Sequence, residues 1–240
     1  MDPVQSFGFS GFLTQTDAVS KIAIGILFIM SLATWYLIIT KSIQALATRQ
    51  RATHFLHLFW NAPSLQAVAA HLQHHSANDP FSRLTDHAMK AVKHHARHSV
   101  DRLNEAGSAV EFLTRAMRRG IDEETARVEA GLTILASVGS TAPFVGLFGT
   151  VWGVYHALVN IGMTGQGTLD KVAGPVGEAL IMTALGLAVA IPAVLAYNAS
   201  TRSNRLLLSK LDAFAHDLFA FLTTGSHVNE LSVAKVAEEA

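Results

Sequence analysis

The sequence predicts an all-α membrane protein with three transmembrane helices. Three stretches carry no charged residue, namely 22–40, 130–160 and 179–201. A bilayer core about 30 Å thick needs about 20 apolar helical residues, so each stretch is long enough to cross it. The composition agrees, because half of the residues are hydrophobic and only 15% are charged, against about 25% charged residues in ordinary globular domains.

The boundaries of the spans follow from the flanking charges. Span one, 22–40, lies between Lys21 and Lys41; span two is assigned to 130–162 and span three to 178–201. Because no basic segment precedes Lys21 and no small-residue cleavage pattern follows the apolar run, we expect span one to remain as an anchor. The other segments are 1–21, 41–129, 163–177 and 202–240.

Basic residues predict the orientation of the spans. Residues 41–128 hold twelve Lys or Arg, the connection between spans two and three holds only Lys171, and four basic residues follow Thr201. Positive residues stay on the cytoplasmic side of a membrane. We therefore expect 1–21 and 163–177 to lie outside, and 41–129 and 202–240 to be cytoplasmic.

Spans two and three are rich in helix-breaking residues that a membrane tolerates, because unpaired backbone groups find no water there. Pairs of small residues four positions apart let helix backbones approach closely, which is also common in ordinary transmembrane packing. Prolines are expected to kink both helices. The residues concerned are Pro143, Gly149, Gly153, Gly186, Ala190 and Pro192.

Amphipathic stripes are predicted next to spans two and three. Apolar residues recur at spacings of three and four in 106–127, and again in 207–222. This periodicity is typical of helices with one buried face. We expect both spans to extend into the cytoplasm as long helices whose stripes pack together; a single helix lying on the membrane surface is the alternative.

Nine of the twelve histidines lie between His54 and His98, in clusters at 71, 74 and 75 and at 94, 95 and 98. Histidines four residues apart on a helix can bind zinc or nickel. Carboxylate partners are missing from the pattern, so we predict a solvated helix face and no metal or other cofactor. The chain contains no cysteine, which excludes disulfides and thiol chemistry.

Glu178 is the residue that most strongly indicates function. It opens span three and is followed by 23 uncharged residues. A carboxylate at membrane depth is costly and normally faces a bundle interior or a watery cavity, where desolvation lets it exchange protons. The alternative is a hydrated position at the outer interface.

Two threonines lie at similar depth. Counted from the outer ends of spans two and three, Thr150 and Thr183 both lie about 14 to 18 Å deep. On an ideal helix Thr183 is about 140° from Glu178, so we expect Glu178 to face a central space while Thr183 faces span two. Threonines in membrane helices also often bond only to their own backbone.

No catalytic motif is present, which predicts that the chain is not an enzyme. One acid and little else at membrane depth except His156 make a poor proton pathway for a single chain. We therefore expect a ring of copies and a partner protein that supplies another titratable group.

Two sequence blocks resemble the MotA/TolQ/ExbB proton-channel family. They are STAPFVGLFGTVWG at 140–153 and GPVGEALIMTALGLAVAIPAVLAYN at 174–198. The second block is similar to the ExbB branch, with TolQ as its neighbour. The family's functional polar positions fall on Thr150, Glu178 and Thr183, and the three-span plan also fits.

The resemblance implies a homopentamer in the inner membrane with a dimer of ExbD inside the ring, where an ExbD aspartate carries the protons. Proton flow would drive TonB, which opens outer-membrane receptors for iron-siderophores and vitamin B12. The alternatives are a TolQ-like role in the envelope and a passive membrane scaffold. The scaffold predicts that 41–128 matters and that Glu178 does not.

Overall fold

The computed structural model describes residues 17–74, 77–98, 109–164 and 169–224, and all of its regular elements are helices. Within the helices it leaves undescribed the side chains of 95–98, 109, 164, 169–172, 175 and 178. The helices are α1 Ala18–Trp60, α2 Leu65–His74, α3 Pro80–His98, α4 Ala109–Glu129, α5 Leu132–Thr164 and α6 Leu169–Thr224.

Three helical stretches are long and apolar enough to cross a membrane, as predicted. They are Ala18–Trp60, Val110–Met163 and Ala179–Thr224. The second contains most of α4 and α5 and the short interruption between them. Helix α5 continues through Pro143 and α6 through Pro192.

The chain divides into two compact units. The first, here called the span unit, comprises Met1–Lys41 and Gly131–Ser200; the second, the amphipathic unit, comprises Ser42–Ala130 and Thr201–Ala240. The core of the span unit joins α1, α5 and α6 through Leu27, Leu135, Ala142, Val189 and Ala193. Three of these, Leu135, Ala142 and Ala193, are fully buried.

The core of the amphipathic unit confirms that the two predicted stripes pack together. Leu113 and Met117 from α4 share one apolar cluster with Leu211, Phe214 and Leu218 from α6. All five are at most 4% exposed, which would not hold for a helix lying alone on a membrane surface. Val110 of the predicted stripe departs from the pattern and is exposed.

A buried ion cluster ties α3 to α4 within the amphipathic unit. The guanidinium of Arg83 donates from Nε and Nη2 to the two carboxylate oxygens of Glu124, at 2.7 and 2.5 Å. Arg127 donates a third bond to Glu124 Oε1 at 2.7 Å. The carboxylate is only 4% exposed, so the two arginines supply the hydrogen bonds that burial would otherwise remove.

The amphipathic helix α4 and span two are two separate helices, and not the one continuous helix that the sequence predicts. Helix α4 ends at Glu129, and α5 begins at Leu132. Between them Gly131 has a φ of +81°, a left-handed conformation that glycine adopts without the strain of a Cβ. The amide of Asn204 donates to the carbonyl of Val128 at 2.7 Å and so satisfies one acceptor in the last turn of α4.

Candidate functional site

Helices α5 and α6 approach closely along a row of small residues. A Cβ added to Gly146 would lie 2.7 Å from the carbonyl oxygen of Met182 and 3.1 Å from the Cα of Gly186. A Cβ on Gly186 would lie 2.7 Å from the carbonyl oxygen of Ala142. Because backbone atoms, and not flexible side-chain ends, occupy this space, only glycine fits at these two positions.

The same row of contacts fixes the direction of the two helices. Gly139 lies against Val194, Gly149 against Met182, and Gly153 against Ala179. Position numbers fall along α6 as they rise along α5, so the helices are antiparallel. Gly149, Gly153 and Gly186, the glycines for which a packing role is predicted, all lie in this row, and an added Cβ on Gly149 would meet mainly the side chain of Met182.

Thr150 and Thr183 meet in this seam, at the end where Gly149 and Gly153 lie. Their hydroxyl oxygens are 2.5 Å apart. Thr150 Oγ1 also lies 2.9 Å from the carbonyl oxygen of Ala179 on α6 and 3.1 Å from that of Gly146 in its own helix. Thr183 thus faces span two, as helix geometry predicts, and Thr150 has both cross-helix and own-helix acceptors.

The donor and acceptor properties of the hydroxyl groups arrange these contacts as a series of hydrogen bonds. Each threonine has one proton to donate and can accept through its lone pairs. If Thr183 donates to Thr150, then Thr150 donates onward to the carbonyl of Ala179 or Gly146. The two carbonyls can only accept, so the hydroxyl pair is a polar strip inside an otherwise apolar seam.

Glu178 lies in α6, directly before Ala179, whose carbonyl accepts from Thr150. The side chain of Glu178 lies outside the part of the chain that the structure describes. In the sequence, Glu178 is nevertheless adjacent to Ala179, whose carbonyl group forms part of the polar strip.

The residues that follow Glu178 at helical spacing do not line an open space in the single chain. Met182 is 2% exposed and packs with Ala23 of α1, while Val189 lies in the span-unit core and Leu185 packs against that core. Within the single chain this face of α6 is therefore packed against α1 and the span-unit core, which differs from the expectation that it faces a central space.

A second polar group, which the sequence did not predict, links Asp17, the residue directly before α1, to α5. The indole N–H of Trp152 donates to the Asp17 carboxylate at 2.9 Å, and His156 Nε2 lies 3.9 Å from the same oxygen. The rings of Trp152 and His156 have centroids 5.0 Å apart. The Trp152 hydrogen bond, followed by the backbone N–H of Ala18, holds the pKa of Asp17 below its ordinary value.

Gly146 and Asp17 could not be singled out from sequence signals alone. Gly146 is one of many glycines in span two, and only the distance to α6 distinguishes it. Asp17 is separated from Trp152 by 135 residues.

The histidine clusters are spread over two helices. His71 and His74 lie on α2 and His94 on α3, whereas the side chains of His75, His95 and His98 lie outside the described residues. Among the side chains that the structure describes, no group of three or more His, Asp or Glu is arranged to hold a metal ion.

The sequence matches known proteins along most of its length. Residues 76–213 match the MotA/TolQ/ExbB proton channel family. A biopolymer transport protein ExbB of Xanthomonas campestris pv. campestris is 42% identical over 233 residues, which cover 94% of this chain and 92% of that protein. An ExbB of Neisseria meningitidis serogroup A is 40% identical over 193 residues, covering 80% and 87%.

A more distant relative comes from another branch. The Tol-Pal system protein TolQ of Pseudomonas aeruginosa is 32% identical over 218 residues, which cover 91% of this chain and 94% of that protein. The family match extends over more than half of the chain. It includes the α5–α6 seam with its close contact at Gly146 and Gly186. The chain therefore belongs to the MotA/TolQ/ExbB proton channel family.

Proposed function

We propose that this chain is the ExbB-type subunit of a proton-driven motor that energises TonB-dependent import through the outer membrane. Identity to the ExbB proteins of Xanthomonas campestris and Neisseria meningitidis is 40–42%, against 32% for TolQ of Pseudomonas aeruginosa, which favours the ExbB branch. An ExbB of Pseudomonas putida is 33% identical, so the complementation experiment below decides between the branches. The names of the family and the relatives point to transport and not to enzyme catalysis.

The observation that carries the proposal is the polar strip in the α5–α6 seam. Thr150 and Thr183 hold their hydroxyls together between two apolar spans, and Glu178 precedes the residue whose carbonyl completes the strip. In this proposal Glu178, Thr150 and Thr183 line and tune the proton path. The proton-carrying acid is an aspartate of an ExbD-like partner.

A single chain does not supply a complete proton pathway, which supports an assembly of several copies. The face of α6 that follows Glu178 is packed within the chain, so a pathway needs surfaces from several copies. We propose a homopentamer in the inner membrane around an ExbD dimer, with 1–21 periplasmic and 202–240 cytoplasmic. TonB would transmit the energy to receptors for iron-siderophores and vitamin B12.

Complementation tests the proposal. The chain is expressed in a Gram-negative host that lacks its own ExbB and TolQ, together with the ExbD-like and TolR-like proteins of its own source. We expect restored growth on iron-siderophores with little rescue of detergent sensitivity. Rescue of detergent resistance alone would instead assign the TolQ-like role. This role is the second candidate because the chain is 32% identical to TolQ of Pseudomonas aeruginosa over 91% of its length.

The passive scaffold makes a different prediction. It requires that a Glu178→Gln variant, assembled and expressed at normal levels, still supports iron-siderophore uptake. The motor requires that this variant assembles but does not energise uptake, because glutamine keeps the shape of the side chain but cannot ionise.

A further inference from the structure

The amphipathic unit contains a cavity of about 700 Å³, far along the chain from the polar strip. Helix α1, helix α2 and the start of α3 form its walls. Its volume lies within the range of about 300 to 1,000 Å³ that small-molecule sites occupy. The lining residues are Gln50, Arg51, His54, Phe55, His71, Leu72, His74, Asn78, Asp79 and Ser82.

Most of the lining side chains can donate hydrogen bonds, and several can carry positive charge. Arg51 is always protonated, and three histidines surround the same space. On α1, Arg51 and His54 are three residues apart and so share one side of the helix; His71 and His74 have the same spacing on α2. Two helices therefore each bring a pair of nitrogen donors to one cavity.

The one acidic residue in the lining accepts hydrogen bonds from the backbone of the first turn of α3. Asp79 is 5% exposed, and its Oδ1 accepts from the backbone N–H groups of Phe81 and Ser82, each at 3.0 Å. These bonds cap the first turn of α3. Asp79 is thus held as a helix cap and keeps its negative charge, while the hydrogen-bond donors that can meet an anion are Arg51 and the histidine nitrogens of α1 and α2.

We propose that this cavity binds a small phosphate-bearing anion. A guanidinium and several imidazoles around one space match the oxygens of a phosphate group, because charge-assisted hydrogen bonds from a planar guanidinium can be bidentate. The proposal concerns ligand binding in the amphipathic unit and does not depend on the function proposed above.

A soluble phosphate compound and a lipid headgroup share the same phosphate chemistry. The experiment below therefore separates these two sources.

Equilibrium dialysis of the full chain against radiolabelled inorganic pyrophosphate tests the site. The chain is studied in nanodiscs of phosphatidylcholine, and acetate at equal ionic strength is the competitor control. We expect saturable binding that acetate does not displace. Arg51→Gln should weaken it by about tenfold or more, the effect of losing a charge-assisted contact. Arg49→Gln, two residues away and outside the lining, should leave binding unchanged.

The histidine side chains supply a second test. A His54→Gln/His74→Gln double variant removes two imidazoles from the lining and should weaken pyrophosphate binding. His216→Gln, exposed and outside the lining, should leave binding unchanged.

Nanodiscs of phosphatidylglycerol distinguish the source of the phosphate. If lipid occupies the site, pyrophosphate binding disappears in these discs and stays absent after extensive dialysis; if a soluble compound does, binding is the same in both lipids. Absence of saturable binding in phosphatidylcholine discs, or equal loss in Arg51→Gln and Arg49→Gln, would overturn the proposal. Thermal unfolding of both variants confirms that they are folded.

Discussion

The hydroxyl oxygens of Thr150 and Thr183 lie 2.5 Å apart, across two antiparallel helices whose backbones nearly touch. The close approach at Gly146 and Gly186 is what permits this contact, because a larger residue at either position would push the helices apart. The hydroxyl pair then forms the one strongly polar feature described in the seam. The hydrogen bond between the two threonines therefore depends on the close packing of the helices at the two glycines.

Replacing Thr183 by valine removes the hydroxyl but keeps the shape of the side chain. We expect the free energy of unfolding to fall by only about 1 kcal/mol, since hydrogen bonds within membranes contribute modestly. Energised iron-siderophore uptake should be largely lost, which so small a change in stability would not explain. Thr183→Ser should restore uptake. Thermal unfolding in detergent and uptake in cells measure the two effects.

Thr141→Val is the matched control for this prediction. The hydroxyl of Thr141 donates to the carbonyl of Ser137 in its own helix and takes no part in the seam. Uptake should remain normal in this variant. Equal losses of uptake in Thr141→Val and Thr183→Val would show that any missing threonine hydroxyl in these helices has the same effect.

Alanine at Gly146 or Gly186 should disrupt the seam. The added methyl group would meet backbone atoms at 2.7 Å, so the helices must separate. Overpacking of this kind costs about 1 to 3 kcal/mol. Gly162→Ala is the control, because nothing lies within 4 Å of its added Cβ and alanine favours the helix. Thermal unfolding of the three variants gives the comparison, and a loss at Gly162 as large as at Gly146 would contradict it.

The sequence predicts the spans and the two amphipathic stripes well, because hydrophobic periodicity decides both. Charge-free runs mark the three helices, and the burial of Leu113 and Leu211 follows from their spacing. The α4–α5 break could not be predicted in the same way. It depends on the backbone of Gly131, and glycines without such a role occur throughout the same stretch.

The buried carboxylate of Glu124 should matter more for stability than any surface ion pair. It accepts hydrogen bonds from both Arg83 and Arg127 and is 4% exposed. Removing its charge by Glu124→Gln leaves Arg83 without its bidentate partner, which should cost about 3 kcal/mol. Chemical denaturation with a reporter in the amphipathic unit measures this effect.

Glu111→Gln provides the comparison for the buried cluster. Glu111 and Arg115 also form an ion pair on α4, at 2.9 Å, but their side chains are 59% and 61% exposed. Exposed pairs contribute about 0 to 1 kcal/mol. Similar losses in Glu111→Gln and Glu124→Gln would show that burial does not determine the effect.

Protonation of Asp17 should change the fluorescence of Trp152. Because the Trp152 hydrogen bond lowers the pKa of Asp17 in the folded chain, the contact stabilises the fold above the unfolded pKa. It is lost as the pH falls through the folded value, below about pH 4. Subtracting the fluorescence of a Trp152→Phe variant isolates the indole signal, which should change in this acid range.

Asp17→Asn should abolish that acid transition, because the amide does not titrate. A transition of unchanged midpoint in Asp17→Asn would assign the signal to another group. A wild-type midpoint at or above the ordinary value for aspartate would contradict the lowered pKa.

The contacts at the candidate site could be predicted only in part from the sequence. Equal depth brings Thr150 and Thr183 into consideration, and the role of Glu178, an isolated acid in an apolar run, stays a prediction. The burial of Met182 and Val189 could not be foreseen, because helical spacing gives the face of a residue but not the neighbour that covers it. Which helix covers which face depends on tertiary packing, here on the α5–α6 glycines.

Proton flux through reconstituted vesicles, with and without the charge of Glu178, tests the central claim most directly. The chain is assembled with its ExbD-like partner, and internal pH is followed after a proton gradient is imposed. We predict that Glu178→Gln forms a complex of normal native mass but loses proton flux, while Glu111→Gln retains it. Undiminished proton flux in the Glu178→Gln complex would contradict the proposed role of Glu178 in the proton path.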